Sequence, residues 1–284
     1  MAILVVIIIL AVAGYLAFKP RTEVMNQALP TPSAAQKFPL PEKKASSEMT
    51  PLSSARIQVE QPPGTGQLAV IIDDMGASMQ EARSLVAIGV PVTFSIIPGL
   101  HSYRDVAAFA ASNGIETMIH IPMQSKEWPQ RRLESNGLLI SMEDTAIAAH
   151  LEQYVRDIPK AVGANNHMGS EFTEHEMQMR VVLQALKDKG MFFVDSVTSP
   201  QTVGQRVAMD MGVKFGRRNV FLDNEQDRTY IQGQLSQAVR LAKKTGASIV
   251  ICHPHPATIK SLAALLPGLQ KQGITLVSAS RLVK

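Results

Sequence analysis

The chain has 284 residues, of which 45% are apolar, and this suits one large domain or one domain with tails. Its formal net charge of +4 comes from 28 basic and 24 acidic residues. That balance, without a basic run that contains aromatic residues, excludes a typical nucleic-acid-binding surface. The single cysteine, Cys252, excludes an intrachain disulfide framework and a cysteine-cluster zinc site.

The chain begins with a hydrophobic segment. Residues 2–18 contain no charged side chain, and their number is at the short end of what spans a bilayer. We predict that residues 1–19 are a signal anchor or a signal peptide and are the only contact with the membrane. Lys19 and Arg21 oppose export under the positive-inside rule. We nevertheless expect an exported protein at the periplasmic or cell-envelope face, either anchored by this segment or released from it.

A polar stretch follows at residues 20–66. Proline, serine, alanine, lysine and glutamate recur there without apolar periodicity, and the stretch ends in Gln61-Pro-Pro-Gly-Thr-Gly66. Such a composition is typical of a disordered linker, because it offers little apolar surface to bury. We therefore predict one folded domain at residues 67–284.

Short β-rich runs alternate with amphipathic helical patterns after the linker. Strands are predicted at residues 68–72, 92–97, 116–119, 161–165, 191–194, 248–252 and 274–277, with a weaker candidate at 219–222. Helices are predicted at residues 78–88, 103–112, 143–157, 174–188, 201–210, 227–245 and 257–270. The alternation predicts an α/β fold, an irregular (β/α) TIM-like barrel of seven or eight strands. An open doubly wound sheet is the alternative, but no glycine-rich phosphate loop supports it.

Polar residues follow directly on five of the predicted strands. They are Asp73-Asp74, His120, Asn165-Asn166-His167, Asp195-Ser196 and His253-Pro254-His255. In a parallel barrel the carboxyl ends of the strands converge on one face, so we expect these side chains to meet. Aspartate and histidine without cysteine suit zinc, with iron, cobalt or manganese as substitutes. Such a site can hydrolyse an amide or ester when a carboxylate and a histidine move the protons.

These segments resemble the motifs of the polysaccharide deacetylases. Ile-Ile-Asp73-Asp74-Met-Gly is similar to the first motif, Phe-Phe-Val-Asp195 to the fourth, and Ile-Val-Ile-Cys-His253 to the last. Three segments together resemble the divergent branch of that family: His120-Ile-Pro-Met, Asn-Asn-His167-Met-Gly-Ser and His253-Pro-His255-Pro. The resemblance covers residues 67–284, and the motifs occur in the matching order.

The resemblance implies a function. It implies a hydrolase that removes acetyl groups from a cell-envelope carbohydrate, polymer or oligosaccharide, by metal-activated water. It assigns Asp73 as the catalytic base and His253 as the general acid, which Asp195 would orient. It also assigns Asp74 and His120 to a divalent metal.

The sequence departs from the family pattern in two places. The usual second motif has two metal-binding histidines four residues apart, but the second place here is Gln124. His167 is the predicted replacement, and His255 is the alternative. The usual third motif, with an arginine and a proline, is not recognisable. These departures leave a second hypothesis, a catalytically weak or inactive barrel that acts as an envelope scaffold or glycan-binding protein. A glycosidase that uses Asp73 and Asp195 is a third, but it leaves the histidines unexplained.

Overall fold

The computed structural model describes residues 65–284, in which strands and helices alternate. The strands are β1 (Gly66–Met75), β2 (Thr93–Ile96), β3 (Glu116–Met123), β4 (Gly163–Met168), β5 (Phe192–Asp195), β6 (Phe215–Arg217), β7 (Val220–Phe221), β8 (Ala247–Cys252) and β9 (Ile274–Val277). The α-helices are α1 (Met79–Val86), α2 (Tyr103–Ser112), α3 (Asp144–Asp157), α4 (Glu176–Asp188), α5 (Gly204–Met211), α6 (Arg228–Thr245) and α7 (Pro256–Leu265).

The predicted N-terminal segment and nearly all of the predicted linker lie outside the described residues. Residues 1–19 are therefore still a prediction, as is disorder in residues 20–64. Within residues 65–284, no helix is both long enough and apolar enough to cross a membrane.

One parallel sheet contains all nine strands, in the order β6-β5-β4-β3-β2-β1-β8-β7, and β9 pairs with the first half of β1. The two ends of this path, β6 and β7, are separated in the chain by only Arg218 and Asn219. The Arg218 amide donates to the Asp195 carbonyl of β5, and the Asn219 amide donates to the Ile249 carbonyl of β8. The sheet is therefore curled into a half-barrel, which confirms the predicted α/β fold.

Strand β1 lies at the centre of two hydrophobic clusters. Leu68, Val70 and Ile72 pack in the larger cluster, whose other members come from the helices and neighbouring strands. Ala69 and Ile71 point the other way, into a smaller cluster built from strand residues. Because successive side chains of a strand alternate between faces, a strand buried on both faces is apolar throughout.

The predicted elements match the observed ones, with two differences. Strand β6 was not predicted, because Phe215-Gly216-Arg217 is short and shows no apolar alternation. The last predicted helix, residues 257–270, is too long, since α7 ends at Leu265 and is followed by short 3-10 turns. Pro267 lacks an amide hydrogen and restricts the residue before it, so it opposes continuation of the helix.

A substitution at Gly163 tests how tightly the strands that form the half-barrel pack. A Cβ atom at this position, the first residue of β4, would overlap the buried ring of Phe192 on β5. We expect Gly163→Ala to lower the free energy of unfolding by about 1–3 kcal/mol, the usual cost of overpacking. Urea-induced unfolding of the full chain measures this change.

Gly233→Ala is the matched control. Gly233 is exposed on α6, and a Cβ atom there would have no neighbour within 4 Å. We expect this change to raise the free energy of unfolding by about 0.5–1 kcal/mol, because alanine loses less backbone entropy in a helix. Equal stabilities of the two variants would contradict the packing described here.

Candidate functional site

The predicted polar residues surround a cavity of about 610 Å³ at the carboxyl ends of the strands. Eight of them line it: Asp73, Asp74, His120, Asn166, His167, Ser196, His253 and His255. Asp195 is not among the lining residues. The parallel sheet thus brings together side chains that are up to 182 positions apart in the sequence, as expected from the strand ends.

Asp73 and Asp74 both face this cavity, although neighbouring residues of a regular strand point to opposite faces. Asp73 follows the inward alternation of Ala69 and Ile71. Asp74 has a left-handed backbone with φ of 56°, and the register between β1 and β2 shifts between Ile72 and Met75. Aspartate tolerates this conformation better than most residues. The local irregularity therefore turns the second carboxylate toward the same cavity.

Three side chains offer ligand atoms for one divalent cation: Asp74, His120 and His167. Asp74 Oδ1 lies 2.8 Å from His167 Nδ1 and 3.2 Å from His120 Nε2. Although close, these contacts lack hydrogen-bond geometry, so Asp74 Oδ1 is buried without a hydrogen-bond partner. A buried carboxylate oxygen needs a donor or a cation. Two imidazole nitrogens converge on that oxygen, and the three atoms together fit a borderline cation such as zinc.

The orientation of His120 supports this fit. Asn165 Nδ2 donates to Asp73 Oδ1 at 2.8 Å, so its amide oxygen must face the other way. That oxygen, Asn165 Oδ1, lies 2.7 Å from His120 Nδ1. Asn165 Oδ1 can thus accept a hydrogen bond from His120 Nδ1, and Nε2 is the ring nitrogen directed toward Asp74 in the cavity.

His167 has a carboxylate on its other side. Its Nε2 lies 3.7 Å from Glu134 Oε2, which is buried and has no hydrogen-bond partner. Glu134 comes from the segment between β3 and α3, and the sequence offered no pattern that would have singled it out. A carboxylate behind a metal-binding imidazole commonly fixes which ring nitrogen faces the metal.

The other histidines of the cavity form a separate group with Asp223. The ring centroids of His253 and His255 are 5.6 Å apart. His255, the alternative metal ligand, is grouped with His253 and Asp223 instead of with Asp74 and His120. His167, and not His255, therefore lies beside Asp74 and His120.

Asp223 is the carboxylate that contacts His253, and this corrects the expected role of Asp195. Asp223 Oδ1 lies 3.2 Å from His253 Nδ1, and Asp223 Oδ2 accepts the His253 backbone amide at 2.7 Å and the Thr258 hydroxyl at 2.8 Å. The predicted strand 219–222 ends just before Asp223. Asp223 therefore follows a strand end, as the other site residues do. The weak apolar pattern of residues 219–222 is the reason why the sequence did not single it out.

Asp195 instead stabilises the loop that follows β5. Its carboxylate accepts the Val197 amide at 2.7 Å and the Thr202 hydroxyl at 2.6 Å. Gly204 is needed beside it, because a Cβ atom there would clash with the Asp195 carboxylate. Within residues 65–284, Asp195 makes no hydrogen bond or ion pair to His253, and burial raises the pKa of its carboxyl.

Gln124 also has a structural role. Its side-chain oxygen accepts the Ile140 amide at 3.0 Å, and its backbone oxygen accepts the amides of Glu171 and Phe172. These bonds join β3 to the segments before α3 and before α4.

The charges in the cavity influence one another. Burial raises the pKa of Asp73, although His120 and His253 oppose the change. Burial would also raise the pKa of Asp74, but the imidazoles of His120 and His167 outweigh it and hold that pKa well below its usual range. Asp74 is thus ionised, as a metal ligand must be.

The pKa of His253 can be tested directly. Burial favours the neutral imidazole, but the hydrogen bond to Asp223 and the charges of Asp74 and Asp73 outweigh it and raise the pKa of His253 to about 9. In the metal-free protein, an NMR titration should place His253 on the alkaline side of an ordinary histidine. We expect Asp223→Asn to lower this pKa, because the carboxylate that stabilises the imidazolium is lost.

The same shift has a consequence for stability. The pKa of His253 in the folded protein exceeds the unfolded value of about 6.5. The stabilisation that the charged His253 adds to the free energy of unfolding is therefore fully present below pH 6.5. That contribution is lost as the pH rises toward about 9.

An unchanged titration of His253 in Asp223→Asn would show that the pair is not coupled.

Comparisons with known proteins identify the family and the fold of the chain. The profile of the divergent polysaccharide deacetylases matches residues 70–283. The chain is 36% identical over 230 residues to the uncharacterized protein YibQ of Escherichia coli K12, covering 81% of this chain and 71% of YibQ. Its fold is similar to that of protein ATU2773 of Agrobacterium tumefaciens C58, with a TM-score of 0.74, 22% identity and coverage of 82% and 92% of the two chains.

A further solved structure has a more distant likeness in fold. It is the catalytic domain of a peptidoglycan N-acetylglucosamine deacetylase from Eubacterium rectale, with a TM-score of 0.52 and 15% identity. The likeness covers 77% of this chain and 90% of that domain. On the match over residues 70–283, this chain belongs to the divergent polysaccharide deacetylase family.

Proposed function

We propose that this protein is a metal-dependent hydrolase that removes acetyl groups from a carbohydrate of the cell envelope. The observation that carries the proposal is the grouping of Asp74, His120 and His167 in one cavity with Asp73 and His253. The name of the Eubacterium rectale relative supports an N-acetylated sugar as the substrate class. The charge-free segment at residues 2–18 supports an envelope location.

A divalent cation fits the first group of side chains. Asp74, His120 and His167 would hold it. Zinc is the first candidate, because imidazole and carboxylate are ligands that zinc accepts. When bound, such a cation polarises a carbonyl group and lowers the pKa of water.

Asp73 is placed to act as the base. Its Oδ1 is held by Asn165 Nδ2, which leaves Oδ2 directed toward His120 Nε2, 3.5 Å away. In its ionised form, Asp73 accepts a proton at Oδ2 from the water that attacks the acetyl carbon. Burial strengthens it as a base, because it raises its pKa.

His253 is placed to act as the acid. Asp223 holds its Nδ1, and its Nε2 lies 3.8 Å from Asp74 Oδ2. The imidazolium therefore presents a proton to the cavity next to the proposed metal group. It donates this proton to the leaving amine or alcohol as the bond between the acetyl carbon and that atom breaks.

The proposed metal group predicts which variants lose the metal. We expect His120→Ala to lower the metal content of the purified protein to near zero, because it removes one of three ligands. Gln124→Ala should keep the metal, since Gln124 bonds to Ile140. Elemental analysis and competition with a chelator measure content and affinity.

His175→Ala is the matched control for loss of a histidine. His175 pairs with Glu171 and does not line the cavity, so the metal content should not change. Metal retained in His120→Ala would contradict the site. Loss of metal in His255→Ala, but not in His167→Ala, would show that the alternative ligand set is the real one.

If Asp73 is the base, its loss should lower turnover without changing metal binding. We expect Asp73→Asn to lower acetate release from N-acetylated chitooligosaccharides or peptidoglycan by about 10²–10⁴-fold, because asparagine cannot accept the proton. Metal content should be unchanged, since Asp73 is not in the ligand group. Asp105→Asn, on the exposed first turn of α2, is the control.

Two outcomes would change this proposal. Near-full turnover by Asp73→Asn would place the base elsewhere. If the unmodified, metal-loaded protein releases no acetate but binds the glycan, the second hypothesis, an inactive glycan-binding barrel, is the better one. The replacement of a family metal histidine by Gln124 is the observation that favours that second hypothesis.

A further inference from the structure

Arg218 lines the cavity from the short link between β6 and β7. Its Nε donates to the Ser196 carbonyl at 2.6 Å, and its Nη2 donates to the Val197 carbonyl at 2.9 Å. Its guanidinium carbon lies 4.9 Å from the centroid of the Phe221 ring. The side chain is thus fixed by two hydrogen bonds and a stacking contact. Of its five N–H groups, three are left without an acceptor in residues 65–284.

This guanidinium has no ion-pair partner. Within residues 65–284, no carboxylate oxygen lies within 4.0 Å of it, and it is half-buried. Arg131, another arginine of the cavity lining, is paired with Glu127. Arg218 therefore presents to the cavity a fixed guanidinium that has no ion-pair partner, although the carboxylates of Asp195 and Asp73 act on it from a greater distance.

Arg218 lies close to the proposed acid. Both side chains lie next to the Phe221 ring, whose centroid is 5.3 Å from that of His253. The two distances, 4.9 and 5.3 Å, limit the separation of the Arg218 guanidinium and the His253 imidazole to about 10 Å. This is the scale of one sugar ring with its substituents, so one sugar unit can reach both.

We propose that Arg218 binds an anionic group of the substrate, so that the protein prefers acidic N-acetylated sugars to neutral ones. This inference rests on the proposed function, since it names the substrate class of the same cavity. A guanidinium fixed in one plane matches the two oxygens of a carboxylate or phosphate, which a neutral sugar lacks.

The test compares three sugars by NMR titration of the metal-loaded full chain in detergent. N-acetylmuramic acid differs from N-acetylglucosamine only by a lactyl ether with a carboxylate, and N-acetylglucosamine 6-phosphate carries a phosphate instead. We expect the unmodified protein to bind at least one acidic sugar about tenfold more tightly than N-acetylglucosamine. The acidic sugar that binds more tightly identifies the anion.

Arg218→Gln should remove this preference, raising the Kd of the acidic sugar about tenfold while the Kd of N-acetylglucosamine stays unchanged. Arg217→Gln is the control, because Arg217 is the neighbouring, exposed arginine and does not line the cavity. Urea-induced unfolding of both variants checks that the fold is kept.

Two results would overturn the inference: equal affinity of the unmodified protein for all three sugars, or equal weakening of acidic and neutral sugars by Arg218→Gln. The second would show that Arg218 only supports the loop of Ser196 and Val197. Because the Kd values and the release of acetate are measured separately, the failure of the proposed hydrolysis is a separate result. If the protein prefers the acidic sugar but releases no acetate, the inferred role of Arg218 stands and the hydrolase proposal is wrong.

Discussion

The side chain of Asn165 is the contact on which the candidate site depends. It donates to Asp73 of β1 and to Ser196 after β5, and its oxygen is shared by His120 of β3 and Ser95 of β2. One buried amide on β4 thus joins the carboxyl ends of five consecutive strands. Its partners are buried, so the loss of one would leave a polar group unsatisfied, at a cost of about 1–3 kcal/mol.

The cavity has two halves that come from different parts of the sheet. The proposed ligands come from the ends of β1, β3 and β4, while His253 and Asp223 follow β8 and β7. Because β8 pairs with β1 along Gln67–Ile72, His253 arrives next to Asp74. The pairing of β8 with β1 therefore determines how close the proposed acid lies to the proposed metal ligand Asp74.

The departures from the family pattern have physical explanations in this fold. Gln124 joins β3 to two neighbouring segments, and His167 approaches Asp74 from the next strand. Because β3 and β4 are paired with His120 opposite Asn165, a side chain near the end of β4 can reach the position of a second β3 ligand. The binding position for a cation can thus be kept while the sequence motif that usually supplies it is lost.

The sequence by itself determined the order of strands and helices, and it also indicated which residues meet at one face. Both depend on local patterns: apolar runs such as 68–72 and 248–252, and polar residues directly after them. These patterns were sufficient to group Asp73, Asp74, His120, His167 and His253. The tertiary structure decided the side-chain partners. It paired His253 with Asp223 instead of Asp195, turned Asp74 toward Asp73, and placed Glu134 and Arg218 around the cavity. The reason is that a contact between distant residues depends on strand register and sheet curvature, which no local pattern encodes.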